Sequence, residues 1–262
     1  MTRQRIETQH TDPSRWFIHR GGDADPRVRV FCFPHAGGNA AAYRSWPRGV
    51  PSGLEICPIE LPGRRGRWAE RPHRSCPELA REVAHAIGRW LDRPFVFFGH
   101  SLGSLVAFEV ARALRRAGGP LPRHLYASAR RAPQLPAEGE MLHRLPDERL
   151  IGEVCGRHRA LPDDLAAQPD LLRQLLAPLR ADLEVHETYR YTPEPPLRCA
   201  ITALGGTTDP LAAVHELWAW REQAEGPFTL RMFSGGHFYL QAQERGVLKV
   251  LGEELEETVA AA

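Results

Sequence analysis

Short apolar runs alternate with stretches of helical periodicity along most of the chain. Runs rich in Val, Ile, Leu and Phe predict buried strands, whereas apolar residues repeated every three to four positions predict helices with one buried face. Ser75, with Glu78 three residues later, predicts a capping box at the start of the first helix. This alternation is typical of the α/β class, with a mostly parallel sheet flanked by helices on both faces. The predicted strands span 28–33, 54–61, 94–98, 124–129, 197–204 and 228–233, and the predicted helices 75–92, 102–114, 211–223 and 242–258.

Residues 1–27 differ from the rest because they are polar and are interrupted by Pro and Gly. Trp16 and Phe17 are the apolar residues expected to fix part of this segment to the body of the protein. The packed core is predicted to begin at Val28, and one domain is predicted over residues 28–262. A chain of 262 residues is long enough for one large α/β domain with a sizeable core.

A long stretch after the strand at 124–129 breaks the alternation. Residues 134–190 are helical in character and contain no predicted strand. Because they follow a parallel strand, they are expected to lie over the carboxyl edge of the sheet, where ligands bind in open α/β folds. We interpret this segment as a helical lid, and the alternative is a helical subdomain that only covers the core. Its predicted helices span 147–157, 169–176 and 179–191.

Composition and charge exclude several classes of protein. The net charge of +2 is too small to indicate a nucleic-acid-binding protein, and no stretch approaches the ~18 consecutive apolar residues of a membrane span. The first residues lack the apolar core of a signal peptide, so a cytoplasmic enzyme is expected. The five cysteines are odd in number and lack metal-ligand spacing, which favours reduced thiols packed as small apolar groups. They are Cys32, Cys57, Cys76, Cys155 and Cys199.

The strongest chemical signal is the pentapeptide GHSLG at 99–103, which joins a predicted strand to a predicted helix. In this context Gly-x-Ser-x-Gly is typical of a nucleophile elbow, a sharp turn that exposes a serine hydroxyl above a helix N-terminus. The glycines two positions before and after Ser101 allow the chain to turn without steric overlap. Ser101 is therefore the predicted nucleophile, and His100 is expected to have a packing role.

A serine nucleophile needs a base to take its proton and an acid to orient that base. In α/β-hydrolase folds these partners follow in the order Ser, Asp or Glu, His. Asp209 follows the strand at 197–204 and His237 follows the strand at 228–233, which matches that order. Alone, Asp209 is more typical of a turn or helix cap and His237 of a solvated loop, but their combination favours a triad. Weaker candidates for the acid are Asp163, Asp164, Asp182 and Glu184.

The oxyanion that forms during attack needs two backbone N–H donors. The first is predicted to be that of Leu102, the residue after the nucleophile. The second is predicted from the loop at 33–39 (FPHAGGN), where it is assigned to Ala36 with Gly37 as the fallback. The same loop is also consistent with a plain glycine turn, and a structural hydrogen bond is expected for His35.

These motifs together resemble those of the type II thioesterases, the stand-alone thioesterases associated with polyketide synthases and nonribosomal peptide synthetases. The resemblance extends over nearly the whole chain from about Val28, and the combination of FPHAGG with LPGR is its most specific part. The chain departs from the family at Leu102, often methionine, and at 207–208, where threonines stand in a segment that often carries consecutive aspartates. Asp209 is then the single acid candidate of its loop. The matching segments are 33–38 (FPHAGG), 60–64 (ELPGR), 99–103 (GHSLG), 179–182 (LRAD) and 236–238 (GHF).

The resemblance implies an α/β-hydrolase fold and the hydrolysis of acyl thioesters on the phosphopantetheine arms of carrier proteins, an editing reaction that frees blocked synthase modules. In that mechanism His237 takes the proton of Ser101, which attacks the thioester carbonyl. The N–H groups of Ala36 and Leu102 hold the oxyanion, and Asp209 orients His237. No metal or cofactor is required, and the implied partners are acyl-loaded carrier proteins rather than nucleic acid or a membrane.

Three other functions are consistent with the motifs. They are a general carboxylesterase or lipase, a product-releasing thioesterase or acyltransferase that acts on one finished chain, and a non-catalytic binding protein on a hydrolase scaffold. An intact set of Ser, Asp and His disfavours the last of these. No pattern decides the oligomeric state, and a monomer is the default expectation.

A run of arginines beside the predicted active-site loop offers a surface for an acidic partner. Because carrier proteins are generally acidic, such a surface would speed their encounter with the enzyme. A solvated, arginine-rich loop is an equally consistent alternative. The residues are Arg64, Arg65, Arg67, Arg71 and Arg74.

Overall fold

A seven-stranded sheet forms the centre of the molecule. The computed structural model describes residues 13–18, 20–136, 139–156 and 169–260. The strands lie in the order β1-β3-β2-β4-β5-β6-β7, and all neighbours are parallel except β1, which pairs antiparallel with β3. The predicted α/β class with a mostly parallel sheet is therefore confirmed. The strands are β1 (Gly21–Gly22), β2 (Val28–Phe33), β3 (Leu54–Pro58), β4 (Phe95–His100), β5 (His124–Ser128), β6 (Ala200–Gly206) and β7 (Phe228–Phe233).

Helices flank this sheet on both faces. They are α1 (Cys76–Ile87), α2 (Leu102–Arg116), α3 (Asp147–Gly156), α4 (Pro169–Glu187), α5 (Val214–Trp218), α6 (Tyr239–Ala242) and α7 (Glu244–Ala260). Strand side chains alternate between two cores: Phe31 and Phe97 share a buried cluster with α1 and α2, whereas Val30 and Val96 share one with α7. None of the described helices is both long and apolar enough to cross a bilayer.

Two helices predicted on either side of Pro178 form one continuous helix, α4. Proline removes one intrahelical hydrogen bond and normally ends or kinks a helix, and the sequence pattern predicts separate helices at 169–176 and 179–191. The second half of α4 is held by burial, because Leu179, Ala181 and Val185 are all enclosed. Tertiary packing therefore offsets the local cost of the proline.

The capping box predicted at the start of α1 is not formed. Ser75 makes no side-chain hydrogen bond to the helix end. Pro77 occupies the first turn of the helix, where the N–H that proline lacks would have had no intrahelical acceptor.

Part of the N-terminal segment packs on the sheet. Trp16 is fully buried, and Phe17 lies with it in the cluster that contains α1. The Arg67 guanidinium carbon lies 3.8 Å from the centroid of the Trp16 ring, and the Glu60 N–H donates to the Trp16 carbonyl at 2.8 Å. The described part of the core therefore begins at Trp16, ahead of the expected start at Val28.

The described parts of the segment between β5 and β6 form a further layer over the carboxyl edge of the sheet. Its residues Leu145, Leu150 and Val154 pack with Leu179 of α4 in a small apolar cluster of their own. Val185, farther along α4, belongs instead to the main core. The covering segment is thus attached to the body through the second half of α4.

The free energy of unfolding is expected to fall as the pH drops from 7.5 to 5.0, because the fold buries neutral histidine. Burial lowers the pKa of His124 to about 4; its ring stacks on Tyr126 at 4.1 Å and its Nε2 lies 2.9 Å from Thr202 Oγ1. The unfolded chain takes up this proton near pH 6.5. Above pH 6.5 the ring is neutral in both the folded and the unfolded state. Between about pH 6.5 and 4 only the unfolded chain holds the proton, so the free energy of unfolding falls through this range.

Urea titrations at the two pH values measure this loss, to which His124 should contribute about 2 kcal/mol. His124→Phe keeps an aromatic ring but removes the titrating group. Between pH 7.5 and 5.0 the variant should therefore lose about 2 kcal/mol less unfolding free energy than the wild type. Equal losses in the two proteins would contradict the assignment.

Candidate active site

Ser101 stands at the turn between β4 and α2 with φ 54° and ψ −116°, outside the regions that an L-residue prefers. Hydrogen bonds hold this strained turn. The Ser101 N–H donates to the Ser128 carbonyl at 2.8 Å, and the Ser104 hydroxyl lies 2.8 Å from Gly99 O and 2.9 Å from Ser128 O. Such strain persists where the surrounding structure enforces it, and it is most frequent at functional sites.

Both glycines of the elbow are required by close backbone approach. A Cβ on Gly99 would lie 2.3 Å from the Gly103 carbonyl oxygen, and a Cβ on Gly103 would lie 2.1 Å from the Phe33 carbonyl oxygen. Both separations are too short for any side chain. The elbow therefore packs directly on the end of β2, which places the loop at 33–39 beside Ser101.

Asp209 and His237 follow β6 and β7 and meet Ser101 at the carboxyl edge of the sheet. The His237 Nδ1 lies 2.9 Å from Asp209 Oδ2, and its Nε2 lies 2.9 Å from Ser101 Oγ. The Leu211 N–H donates to Asp209 Oδ1 at 2.8 Å and fixes the carboxylate. The structure thus brings the three predicted residues together in one hydrogen-bonded chain.

The hydrogen-bonding capacity of each group sets the direction of this chain. An ionised carboxylate can only accept, so His237 Nδ1 donates to Asp209 and Nε2 is left to accept the Ser101 hydroxyl proton. The Asp209 side chain is fully buried and that of His237 is 9% exposed. This geometry suits a serine hydroxyl activated by a general base.

Two further histidine rings surround His237, and both are neutral. Burial lowers the pKa of His35 to about 4 and holds that of His100 well below its usual range, and the nearby His237 adds to both effects. The buried His100 places its Nδ1 2.8 Å from Ser128 Oγ, which accords with a packing role. His35 contacts the His100 and Phe238 rings, with centroids 5.9 and 5.1 Å away, and within the described residues these contacts take the place of the expected hydrogen bond. Neither ring adds a positive charge beside the base.

The two predicted oxyanion donors flank Ser101. Leu102 is the first residue of α2, and the first N–H groups of a helix have no acceptor within it. On the other side, the Gly37 N–H donates to Asp182 Oδ2 at 2.7 Å and is therefore occupied. Ala36 lines the cavity beside Ser101, which favours its N–H over that of Gly37 as the second donor.

Asp182 and Arg64 hold the loop that carries Ala36. Arg64 pairs with Asp182 and donates from Nε to the Gly38 carbonyl at 2.7 Å, and the two side chains are 5% and 4% exposed. Sequence reasoning considered Asp182 only as an alternative acid, although its LRAD segment stood out as a motif. The structure commits its carboxylate to Arg64 and to the Gly37 N–H.

Asp182→Asn is expected to lower the free energy of unfolding by about 3–5 kcal/mol, because it leaves the Arg64 guanidinium buried without a negative partner. Glu184→Gln on the same helix is the matched control. Glu184 pairs with Arg74, whose side chain is 65% exposed, and such pairs contribute about 1 kcal/mol or less. Urea denaturation of the two variants measures the difference. Small losses of equal size would show that the buried pair does not hold the loop.

The other acid candidates do not contact His237 in the described part of the chain. Glu184 is engaged with Arg74. Asp163 and Asp164, like the end of the helix predicted at 147–157 and the side chain of Cys155, lie outside the described residues.

The arginine run divides into internal and exposed residues. Arg67 is buried, donates from Nη1 to the Glu60 carbonyl at 2.8 Å and pairs with Glu70. Arg64 is buried against Asp182, so neither residue lies on a surface that a partner could reach. Among the five arginines, Arg65, Arg71 and Arg74 are exposed.

A cavity of about 280 Å³ lies over the triad, between the carboxyl edge of the sheet and the covering segment. Ser101, His237 and Ala36 line its floor, and α3 and α4 contribute the opposite wall. Ligand pockets usually enclose about 300–1,000 Å³. This cavity is therefore suited to a small group attached to the atom that Ser101 attacks.

Known proteins are similar in sequence to nearly the whole of this chain. Residues 28–255 match the family model described as Thioesterase domain. The chain is 39% identical to the protein named linear gramicidin dehydrogenase LgrE of Brevibacillus parabrevis, with 96% of each chain covered. It is 38% identical to thioesterase PikA5 of Streptomyces venezuelae, with 94% of this chain and 87% of that protein covered.

Among solved structures, the RedJ thioesterase from the prodiginine biosynthetic pathway of Streptomyces coelicolor superposes with a TM-score of 0.85. It is 37% identical, and the superposition covers 89% of this chain and 93% of that chain. The resemblance predicted from the sequence is confirmed by these matches.

Proposed function

This chain belongs to the thioesterase family, and from that premise we propose that it removes acyl groups from carrier-protein thioesters in polyketide or nonribosomal peptide synthesis. The observation that carries the proposal is the chain of two 2.9 Å contacts from Ser101 through His237 to Asp209. Ser101 and His237 lie on the floor of a small cavity.

The first half of the reaction transfers the acyl group to the enzyme. Ser101 Oγ attacks the thioester carbonyl carbon while His237 Nε2 takes the hydroxyl proton, and Asp209 stabilises the imidazolium that forms. The N–H groups of Ala36 and Leu102 bind the oxyanion. The carbon–sulfur bond then breaks, and the phosphopantetheine thiolate takes the proton from His237 and leaves as a thiol.

The second half regenerates the serine. Water enters, His237 Nε2 takes one of its protons, and the oxygen attacks the acyl-enzyme carbonyl. A second oxyanion forms at the same two N–H groups. When it collapses, Ser101 Oγ leaves with the proton from His237, and the carboxylic acid is released.

An editing role suits a small cavity beside the nucleophile. Thioesterase PikA5 and the RedJ thioesterase are named for the same reaction class, the second in a biosynthetic pathway. A short acyl group that blocks a carrier fits about 280 Å³, whereas a finished product chain would need more room. The exposed Arg65 and Arg71 supply positive charge for an acidic carrier protein, whereas the exposed Arg74 already pairs with Glu184.

The dehydrogenase named among the relatives points to a second class of reaction, which the site supports less well. Dinucleotide-binding folds place a GxGxxG turn after their first strand so that backbone N–H groups face the pyrophosphate. Here the turn after β2 is HAGGN at 35–39, and its Gly37 N–H is committed to Asp182.

The test is a hydrolysis panel. Carrier proteins loaded with acetyl, butanoyl and hexanoyl phosphopantetheine are compared with p-nitrophenyl esters of the same chain lengths, and kcat/KM is measured by release of free thiol or nitrophenol. We expect higher values for the carrier thioesters. If the nitrophenyl esters are the better substrates by tenfold or more, the protein is a general carboxylesterase.

A further inference from the structure

One buried charge in the cavity has no role in the triad. Arg130 lines the same cavity as Ser101 and His237 and is 6% exposed. Its backbone is fixed from two sides. The Trp220 Nε1–H donates to the Arg130 carbonyl at 2.7 Å, and the preceding Ala129 adopts a left-handed conformation with φ 51°. A non-glycine residue in this region raises the free energy of the folded state, so Arg130 is held in this position at a cost in stability.

The Arg130 guanidinium has few partners for a buried cation. Its Nη1 lies 2.8 and 3.0 Å from the two ring nitrogens of His186, and its Nε is buried without a hydrogen-bond acceptor. No carboxylate pairs with it within the described residues, whereas the adjacent Arg131 pairs with Glu216 at 2.6 Å. Arg130 therefore differs from the other buried arginines, Arg29, Arg64, Arg67 and Arg112, each of which pairs with an acidic residue.

An unpaired guanidinium inside a protein is costly, because it loses water without gaining a negative partner. Burial lowers the pKa of Arg130 to about 10, so the group is still charged at neutral pH. Its N–H groups are strong donors, and hydrogen bonds to a charged donor are roughly twice as strong as neutral ones. A substrate oxygen in the cavity would accept a hydrogen bond from this buried guanidinium.

The acidic residues of the cavity indicate which kind of substrate oxygen can bind beside Arg130. Glu140, Glu153 and Glu187 line it as well. Glu187 accepts from the N–H groups of Leu142 and His143, and Glu140 pairs with Arg149. Arg131 lines the cavity too, but it pairs with Glu216 at 2.6 Å. The three acidic side chains therefore disfavour a substrate carboxylate, whereas they do not repel a neutral carbonyl oxygen.

We propose that the cavity selects acyl groups that carry a keto oxygen along the chain, and that Arg130 donates a hydrogen bond to that oxygen. The inference rests on the proposed thioesterase function and adds the substrate class. Arg130 would then set specificity without taking part in proton transfer, because the triad and the oxyanion donors are complete without it.

The experiment compares 3-oxohexanoyl and 5-oxohexanoyl carrier thioesters with the hexanoyl thioester. Keto and saturated chains differ in intrinsic reactivity, so the measured quantity is a ratio, the kcat/KM for a keto thioester divided by the kcat/KM for the hexanoyl thioester. The ratio of each variant is then compared with the ratio of the wild type. For at least one keto chain, Arg130→Met should lower this ratio by roughly 10- to 100-fold. Arg131→Met, whose residue already has a carboxylate partner, should leave it within twofold.

Arg130→Lys keeps the charge but loses the planar fork, and its ratio should fall at least threefold. This variant decides the question if Arg130→Met does not give a cooperative thermal transition. An unchanged ratio for both keto chains overturns the inference while hydrolysis of the hexanoyl thioester still supports the proposed function. If the wild type hydrolyses none of the three thioesters, the proposed function fails and the inference fails with it.

Discussion

Ser101→Ala is expected to lower kcat for carrier-bound thioesters by a factor of roughly 10⁵. The substitution removes the only atom of the triad that bonds to the acyl group, so no acyl-enzyme can form. The proposed oxyanion donors and the cavity are left in place, and they alone leave a residual acceleration of roughly 10³- to 10⁴-fold over the uncatalysed reaction. Substrate binding should persist, since the lost atom contributes to bond making and little to affinity.

Single-turnover hydrolysis of an acyl-carrier thioester measures this loss, and a fluorophosphonate probe reports the nucleophile directly. Ser75→Ala is the matched control, because the Ser75 hydroxyl makes no hydrogen bond to the start of α1. It should keep both hydrolysis and labelling, whereas Ser101→Ala should lose both. Retention of a tenth of the activity by Ser101→Ala would refute the mechanism.

Gly103→Ala is expected to cost at least about 4 kcal/mol of stability or to prevent folding. The new methyl group would lie 2.1 Å from the Phe33 carbonyl oxygen and 2.8 Å from the Pro34 carbonyl oxygen. These are backbone atoms at the end of a central strand, so no side-chain rotation relieves the overlap. Either α2 moves away from the sheet, or β2 and the loop at 33–39 are displaced.

Gly152→Ala provides the comparison, since it makes the same change in a helix where nothing lies within 4 Å of the added methyl. It should stabilise the protein by up to about 1 kcal/mol, the difference in helix propensity. Urea denaturation of both variants measures the contrast. A Gly103→Ala protein within 1 kcal/mol of the wild type would show that the elbow tolerates a side chain.

The sheet could be predicted from the sequence because parallel strands are buried on both faces and give continuous apolar runs. The bounds of β2 and β7 agree with the predicted 28–33 and 228–233. At 197–204 the prediction begins too early, because Leu197 makes only an isolated bridge to Ala224 and the strand itself begins at Ala200. Apolar character marks burial, and it does not distinguish a strand from the loop that enters it.

The helix predicted at 211–223 illustrates a second limit. Only Val214–Trp218 is α-helical, and a 3₁₀ helix continues to Gln223. Apolar residues recur at nearly the same spacing in both, so periodicity does not separate the two conformations. The break wrongly predicted near Pro178 has the opposite cause, since a local rule was overridden by burial elsewhere in the fold.

The three residues of the proposed triad could be named from chain order and strand ends, but the contacts that hold the neighbouring loop could not be predicted. The Gly37 N–H meets Asp182 across 145 positions of sequence, and no local pattern encodes that contact. The same holds for Arg67, which sequence grouped with exposed arginines and which the fold encloses against Trp16 and Glu60. A charged side chain is assigned to the surface until its partners are known.

The contact between Ser101 and His237 spans 136 positions, and the base follows the last strand of the sheet. A chain that has left the ribosome only as far as β5 carries Ser101 and both proposed oxyanion donors but neither Asp209 nor His237. Its serine hydroxyl then has no base to take its proton. On the proposed mechanism, full hydrolytic activity therefore arises only when β6 and β7 have joined the sheet.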